Sequence, residues 1–369
     1  MLKLPNIQIL RAVAALAVVF YHDGIESTSI CNNSGLPCSY DFWAGAFGVP
    51  LFFIISGFIM VMTTWNSFGQ TGAPLDFIKR RIIRIVPLYW LVTSVAVVGI
   101  IISPSMLNVP VLDPLYIFGS YLFWPVTRVN GLVRPIANLG WTLNIEMMFY
   151  TVFTVALLFN RARGLILTMG FLAGMSVFQA MGLFGKAGTL QSTPLNFWAD
   201  PIILNFIMGM VIAVIYRKGL RLNMSENALL IAIAIVGIML VGNFSGILNA
   251  LPEDHMINRV TAMIPMLCLV AAATIGPQLD STKLIWRAGL LVGDASYSLY
   301  LIYPFILRPL AKLWAKFIGT SLPVWSFTVL GVVVALAAGL TLYALVERPL
   351  TQYFSRRRKS IPSQSMSVA

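Results

Sequence analysis

The sequence predicts an all-α fold, a polytopic membrane helical bundle of about ten transmembrane spans with both termini cytoplasmic. Three observations predict it. Of 369 residues, 58% are hydrophobic and only 10% are charged, a composition that water would not keep dispersed. Many windows reach the roughly 20 apolar residues that an α-helix needs to cross a hydrocarbon core of about 30 Å. The net charge of +12 collects at the ends of apolar segments, mostly on one side, which marks cytoplasmic loops rather than nucleic-acid binding. Short alternating segments of the kind a β-barrel needs are not visible.

The expected spans fall at 7–25, 46–64, 82–103, 140–160, 164–182, 201–216, 227–244, 260–276, 289–310 and 324–346, with 115–126 as a short re-entrant or interfacial piece. The first, QILRAVAALAVVFYHD, carries Arg11 and His22. Eleven residues of helix turn through about 1100°, three turns plus roughly 20°, so both side chains project from one face about 16 Å apart along the axis. Ionisable groups at this depth face a cavity or a partner, so the pair predicts a polar lane along the helix. Taken singly, Arg11 snorkelling to the inner interface and His22 bonding within the bundle are equally available readings. Arg11 inside the apolar run, with no small-residue cleavage site after it, argues for a retained span rather than a signal peptide. Asp23 points about 100° away from His22. Cys31 and Cys38 share the next loop, where an oxidising compartment joins them or a reducing one leaves them free; Cys268 reads as packing.

In the second span, FFIISGFIM puts Ser56 and Gly57 at mid-depth, where a serine ordinarily bonds back to its own helix. The third opens with FIKRRIIRIVPLYW, whose Arg81 and Arg84 share a face at the cytoplasmic entrance. Guanidiniums there suit a phosphate-bearing ligand, and they suit ordinary positive-inside anchoring as well. The fourth, LGWTLNIEMMFY, carries Glu146 about two turns below the outer surface, close to the depth of His22. A carboxylate and an imidazole at one depth can form a base and its orienting partner, although an arginine such as Arg134 is another partner for Glu146.

Gly164, Gly170 and Gly174 read as helix-packing contacts in the fifth span. His255, beside Glu253 and Asp254, reads as a solvated loop residue, and two distant histidines without C-x-x-C spacing make no metal-ligand set. In the ninth span GDASYSLYLIY gathers Asp294, Ser296, Tyr297, Ser298, Tyr300 and Tyr303, enough polar groups to line a cavity. Trp43, Trp124, Arg128 and Trp198 are the outer-loop candidates for stacking on sugars. One membrane unit, 1–354, is followed by a basic and then Ser-rich tail, 355–369, expected to be disordered at the cytoplasmic face.

Taken in order, IQILRAVAALAVVFYH, GVPLFFIISGFIM, FIKRRIIRIVPLYW, WTLNIEMMFY, GDASYSLYLIYP and LVERPL resemble, over about residues 5–350, the membrane-bound acyltransferase family 3, multi-span enzymes that O-acylate sugars and other hydroxyl-bearing acceptors. The wording is most similar to the branch that acetylates bacterial exopolysaccharides. The family's Arg-x10-His falls on Arg11 and His22, its Arg-x-x-Arg on Arg81 and Arg84, and its intramembrane glutamate on Glu146. The resemblance implies His22 and Glu146 as catalytic residues and Arg11, Arg81 and Arg84 as the holders of acetyl-coenzyme A, a donor co-substrate rather than a permanently bound cofactor.

It implies an acceptor hydroxyl on an exopolysaccharide, O-antigen or related glycan outside a bacterial cytoplasmic membrane, with Asp23, Ser296, Tyr297, Tyr300 and Tyr303 on the substrate side. Membrane lipids and the polysaccharide-synthesis machinery are the implied partners, and no nucleic acid. Relatives commonly carry histidine where this chain has Tyr303, so a second-histidine role does not transfer. No fused extracytoplasmic esterase-like domain is expected, which leaves acceptor recognition to the outer loops or a partner. The alternative is a proton-coupled transporter in which His22 and Glu146 relay protons while the arginines grip an anionic solute. The absence of a visible internal repeat and the ordered motifs favour the enzyme.

Overall fold

The structure, a computed structural model, describes residues 4–35, 40, 42–102, 113–127, 133–184, 194–248, 255–319 and 321–359, with the side chains of Trp43, 242–248, 255–262 and 355–359 left aside. Among the described residues it is all-helical apart from one isolated bridge, Thr127 to Val133. The helices are α1 (Pro5–Asn33), α2 (Gly48–Thr64), α3 (Ala73–Ile102), α4 (Pro114–Tyr121), α5 (Gly140–Ala156), α6 (Arg161–Ala180) and α7 (Pro194–Trp198). They continue as α8 (Leu204–Arg217), α9 (Met224–Leu248), α10 (His255–Ile275), α11 (Leu284–Asp294), α12 (Ser296–Phe317), α13 (Val324–Leu342) and α14 (Arg348–Lys359).

Six helices are long and apolar enough to cross a membrane, and a seventh crossing results if α11 and α12 are taken as one span bent by 70°. Three of the ten expected spans fall on shorter apolar stretches: α5, Pro201–Arg217 and Met263–Ile275. At 1.5 Å per residue the 17 residues of α5 reach about 26 Å, somewhat less than a hydrocarbon core. The expected short piece at 115–126 is the eight-residue α4, whose first turn is capped by Asp113 accepting from the Leu115 amide.

α1 runs through the middle of the architecture, packed against α2, α11, α12 and α13. At its beginning it meets Gly289 and Gly293 of α11, and there Arg161 bonds the Trp65 carbonyl and Arg217 the Met62 carbonyl. The C-terminal end of α2 and the basic ends of α6, α8 and α11 therefore share the end of the bundle at which α1 starts. α2 packs most extensively against α8, and this contact requires glycine on both sides. A Cβ on Gly57 would lie 2.2 Å from the Phe206 carbonyl oxygen, and one on Gly209 would lie 1.9 Å from that of Ile54. Phe206 then stacks on Phe149 of α5 at 4.0 Å, which ties α5 into the same core. Of the three glycines expected to pack in α6, only Gly164 does so, against the Ala156 carbonyl. Gly170 and Gly174 face open space, because the middle of α6 lies on the rim of the bundle.

Gly209→Ala should lower the thermal unfolding temperature in detergent, through overpacking worth about 1–3 kcal/mol, whereas Gly170→Ala should leave it unchanged or slightly raised. Equal effects would contradict the packing described.

Candidate active site

α1, α2, α3, α5 and α12 enclose a cavity with about 800 Å³ of empty space, counting its open mouth. Most of its apolar wall comes from α2, and each of the five helices contributes between one and three polar side chains. Arg11 is 8% exposed, deep in the bundle rather than snorkelling. Its two terminal nitrogens donate to Gln8 Oε1 and Ser296 Oγ, both at 2.8 Å, and Gln8 Nε2 in turn donates to Asp294 Oδ1 at 3.0 Å. The sharp break between α11 and α12 at Ala295 makes this possible, since it places the first residue of α12 opposite Arg11. Arg81 is also buried, with its guanidinium over the rings of Phe77 and Tyr150 at 5.6 and 5.8 Å, while Arg84 is exposed at the cavity edge.

Glu146 lines the same cavity and accepts hydrogen bonds from Ser56 Oγ at 3.0 Å and from the Tyr150 hydroxyl. Ser56 thus bonds across to α5 instead of back to its own helix. The expected pairing of Glu146 with His22 does not form. Equal depth did not bring them together because α5 is not a principal packing partner of α1. Nor does Arg134 meet Glu146; its guanidinium stacks on Trp141 at 4.6 Å, within electrostatic reach of His22.

His22 is not part of the cavity wall. Its Nδ1 lies 3.0 Å from the Val18 carbonyl oxygen and 3.0 Å from the Tyr303 hydroxyl. A carbonyl only accepts, so Nδ1 carries the hydrogen in the neutral ring and Nε2 keeps its lone pair. One turn back along α12, Tyr300 does line the cavity, hydrogen-bonded to Thr142 Oγ1 at 2.9 Å, and its ring centroid is 6.4 Å from that of Tyr303. The imidazole thus stands one tyrosine layer beyond the cavity.

Of the predicted site residues, Arg11, Arg81, Arg84, Glu146, Ser296, Tyr297 and Tyr300 surround one cavity, and His22 with Tyr303 forms an adjoining pair. Tyr297 donates to the Ile85 carbonyl at 2.8 Å, which fixes α12 to α3. Asp23 stands apart. It is fully enclosed between α1 and α13, beside the Ser27 and Thr328 hydroxyls, with no exposed surface and no share in the cavity, so it does not reach a substrate there. The 100° offset from His22 turns it into the neighbouring helix.

Sequence reasoning missed Glu347. It ends a π-helical turn, Tyr343–Glu347, between α13 and α14, is 8% exposed, accepts from Ser298 Oγ at 2.5 Å, and lies within electrostatic reach of Arg11 and Arg84. Wide π turns occur often at functional sites, and the available signal was a lone acid closing a long apolar run. Among the residues lining the cavity, Arg11, Arg81 and Arg84 face one carboxylate, Glu146, so the wall itself carries net positive charge and suits an anion, while Glu347 and Asp294 act on Arg11 from behind it. Among the described residues no three His, Cys, Asp or Glu side chains gather as metal ligands. Cys31 is disulfide-bonded and Cys268 is free; Cys38, Arg128 and the acids Glu253 and Asp254 lie outside the described residues. His255 opens α10 rather than lying in a loop.

Removing the Glu347 carboxylate should leave buried cationic charge less compensated. Glu347→Ala should lower stability by about 3 kcal/mol or more, and Ser298→Ala by about 1 kcal/mol, as read from detergent unfolding curves.

The acyltransferase domain family matches residues 4–344. The exopolysaccharide production protein ExoZ of Rhizobium meliloti is 31% identical over 322 residues, covering 86% of this chain and 93% of that protein. Acyltransferase MdmB of Streptomyces mycarofaciens is 27% identical over 386 residues, covering 96% and 94%. O-acetyltransferase OatA of Staphylococcus aureus is 23% identical over 388 residues, with 99% of this chain matched to 60% of that protein. No solved structure matches.

Proposed function

The chain belongs to the acyltransferase family 3, as the match over nearly its whole length shows, and we propose that it carries an acetyl group from cytoplasmic acetyl-coenzyme A through the membrane to a sugar hydroxyl of an extracellular glycan. The single observation that carries this reading is the arrangement of three guanidiniums around one cavity, with an imidazole of free Nε2 one tyrosine layer further along the same helix. A nucleotide donor is polyanionic at one end and reactive at the other, and only a site of matching polarity needs both features. The names of ExoZ and OatA support a glycan acceptor and an acetyl group.

In this reading the end of the bundle where α1 begins is cytoplasmic, which agrees with the basic helix ends gathered there. Arg84 at the mouth and Arg81 and Arg11 deeper in hold the donor's phosphates. Glu146, fixed by Ser56 and Tyr150, and Glu347, fixed by Ser298, keep those guanidiniums oriented by balancing their charge. The pantetheine arm lies along α1 and its thioester reaches past Tyr300 to the imidazole.

His22 Nε2 takes the proton of the acceptor hydroxyl as its oxygen bonds the acetyl carbon. The carbon–sulfur bond then breaks, and the proton passes from the imidazolium to the departing thiolate. Nδ1–H, held by the Val18 carbonyl, keeps the ring in the tautomer this step requires. Tyr303 supports the ring from α12.

His22→Ala should reduce glycan acetylation by about 10²-fold or more while folded protein stays in the membrane; unreduced transfer would discard the mechanism. Replacing Arg81 and Arg84 together by Ala should raise the KM for acetyl-coenzyme A with a smaller change in kcat, and an unchanged KM would return both arginines to topology alone. Release of free coenzyme A that depends on acceptor separates the enzyme from a transporter.

A further inference from the structure

The loop that joins α3 to α5 carries a second arrangement outside the cavity. Phe123, just beyond α4, has φ of 57°, the one positive φ on a non-glycine residue among those described. Side chains with a Cβ adopt this conformation rarely. Here it turns successive side chains to opposite sides. Phe123 goes inward, 7% exposed, with its ring 4.6 Å from that of Tyr89. Trp124 goes outward, 51% exposed, while its amide closes the turn on the Gly119 carbonyl.

Trp124 does not stand alone. Trp198, which ends α7, packs edge-on against it at 5.1 Å with an interplanar angle of 89°. Residues more than seventy positions apart thus make one aromatic corner. An indole that merely anchors a helix at the membrane surface turns its N–H to water or to lipid headgroups. Trp198 instead buries Nε1 with no hydrogen-bond partner, so ring packing against Trp124 holds it in place.

The described residues of the loop are also braced. Tyr89 donates to the Ser120 carbonyl at 2.9 Å, Ser120 Oγ accepts from the Ile136 amide at 3.0 Å, and Tyr116 donates to the Arg134 carbonyl at 2.8 Å. At its other end, Arg134 stacks on Trp141, next to the Thr142 that bonds Tyr300. Braced residues on either side of positions 128–132 therefore lie at the aromatic corner and in the surroundings of the imidazole.

We propose that the Trp124–Trp198 corner is the acceptor subsite, taking a pyranose ring of the glycan on the exposed face of Trp124. A sugar ring presents an apolar face of axial C–H bonds with hydroxyls around its rim, so it stacks on a fixed indole and leaves its hydroxyls pointing along the loop. Rigidity matters because a preformed platform loses little freedom on binding. An acceptor polymer is long enough to rest one residue on the corner while a neighbouring residue offers its hydroxyl at His22. This subsite rests on the acetyltransferase reading given above.

The test uses the full chain in nanodiscs and, as probe, repeat-unit oligosaccharide released from the host's own exopolysaccharide and stripped of esters. Saturation-transfer NMR without acetyl-coenzyme A reads binding directly, and steady-state transfer reads KM. Trp124→Ala should abolish the saturation signal and raise the acceptor KM by about tenfold, with the KM for acetyl-coenzyme A unchanged, which also certifies the fold. Trp124→Phe, which keeps a stacking face, should recover most of both. Trp325→Ala, an exposed tryptophan on α13, should change neither. An unchanged acceptor KM in Trp124→Ala, or no saturation transfer to the unmodified protein, overturns the subsite. A saturation signal that depends on Trp124 in a protein that transfers no acetyl group would instead overturn the enzymatic reading and leave the sugar platform standing.

Discussion

A guanidinium inside an apolar bundle has to be met by oxygen, and most of the site's layout follows from how Arg11 is met. Two oxygens do it, Gln8 Oε1 one turn away on the same helix and Ser296 Oγ on another. The second exists only because the chain bends sharply at Ala295, so the break in the ninth expected span and the buried cation of the first are two halves of one solution. Straightening the bend would carry Ser296 away and leave a desolvated charge. Once α12 is docked in this way, side chains around its first two turns reach different neighbours: Tyr297 meets α3, Ser298 meets Glu347, Tyr300 lines the cavity and Tyr303 meets His22.

The same helix therefore organises two environments of different character. The cavity side holds opposed charges tied down by hydroxyls, with a cationic excess that waits for an anion. Among the described residues no carboxylate contacts His22; the imidazole is set by a backbone carbonyl and a phenol, both neutral. Local polarity thus changes from ionic to dipolar along one helix, the gradient that the proposed donor, with its charged head and neutral thioester, would meet. Glu146 belongs to the ionic region, which explains why its partners are Ser56 and Tyr150.

Periodicity and depth were legible in the sequence. The helices, the shared face of Arg11 and His22, the gathering of basic ends and the eight-residue α4 all follow from spacing and charge alone. Contacts that depend on which helices become neighbours were not legible. Counting residues put Glu146 and His22 at one depth but said nothing of the helix packing that parts them. The π turn that brings Glu347 inward leaves no mark in an apolar run, since one residue of extra winding changes no residue type. Asp23 looked accessible because Gly331, whose missing Cβ makes room for its carboxylate, lies some three hundred residues away. Gly170 and Gly174 read as packing residues because small side chains look alike whether they meet a helix or face outward.

The tyrosine layer between cavity and imidazole has an energetic side. A bilayer that stores a proton gradient cannot tolerate a wet channel through one of its proteins, yet a reaction whose reagents sit on opposite sides needs some path. Tyr300 is 7% exposed and Tyr303 1%, so among the described residues packed aromatic rings stand between the cavity and His22. In the proposed reading a slim thioester arm would part these rings and plug the gap it opens, so that group transfer would proceed while the electrochemical charge of the cell stays intact.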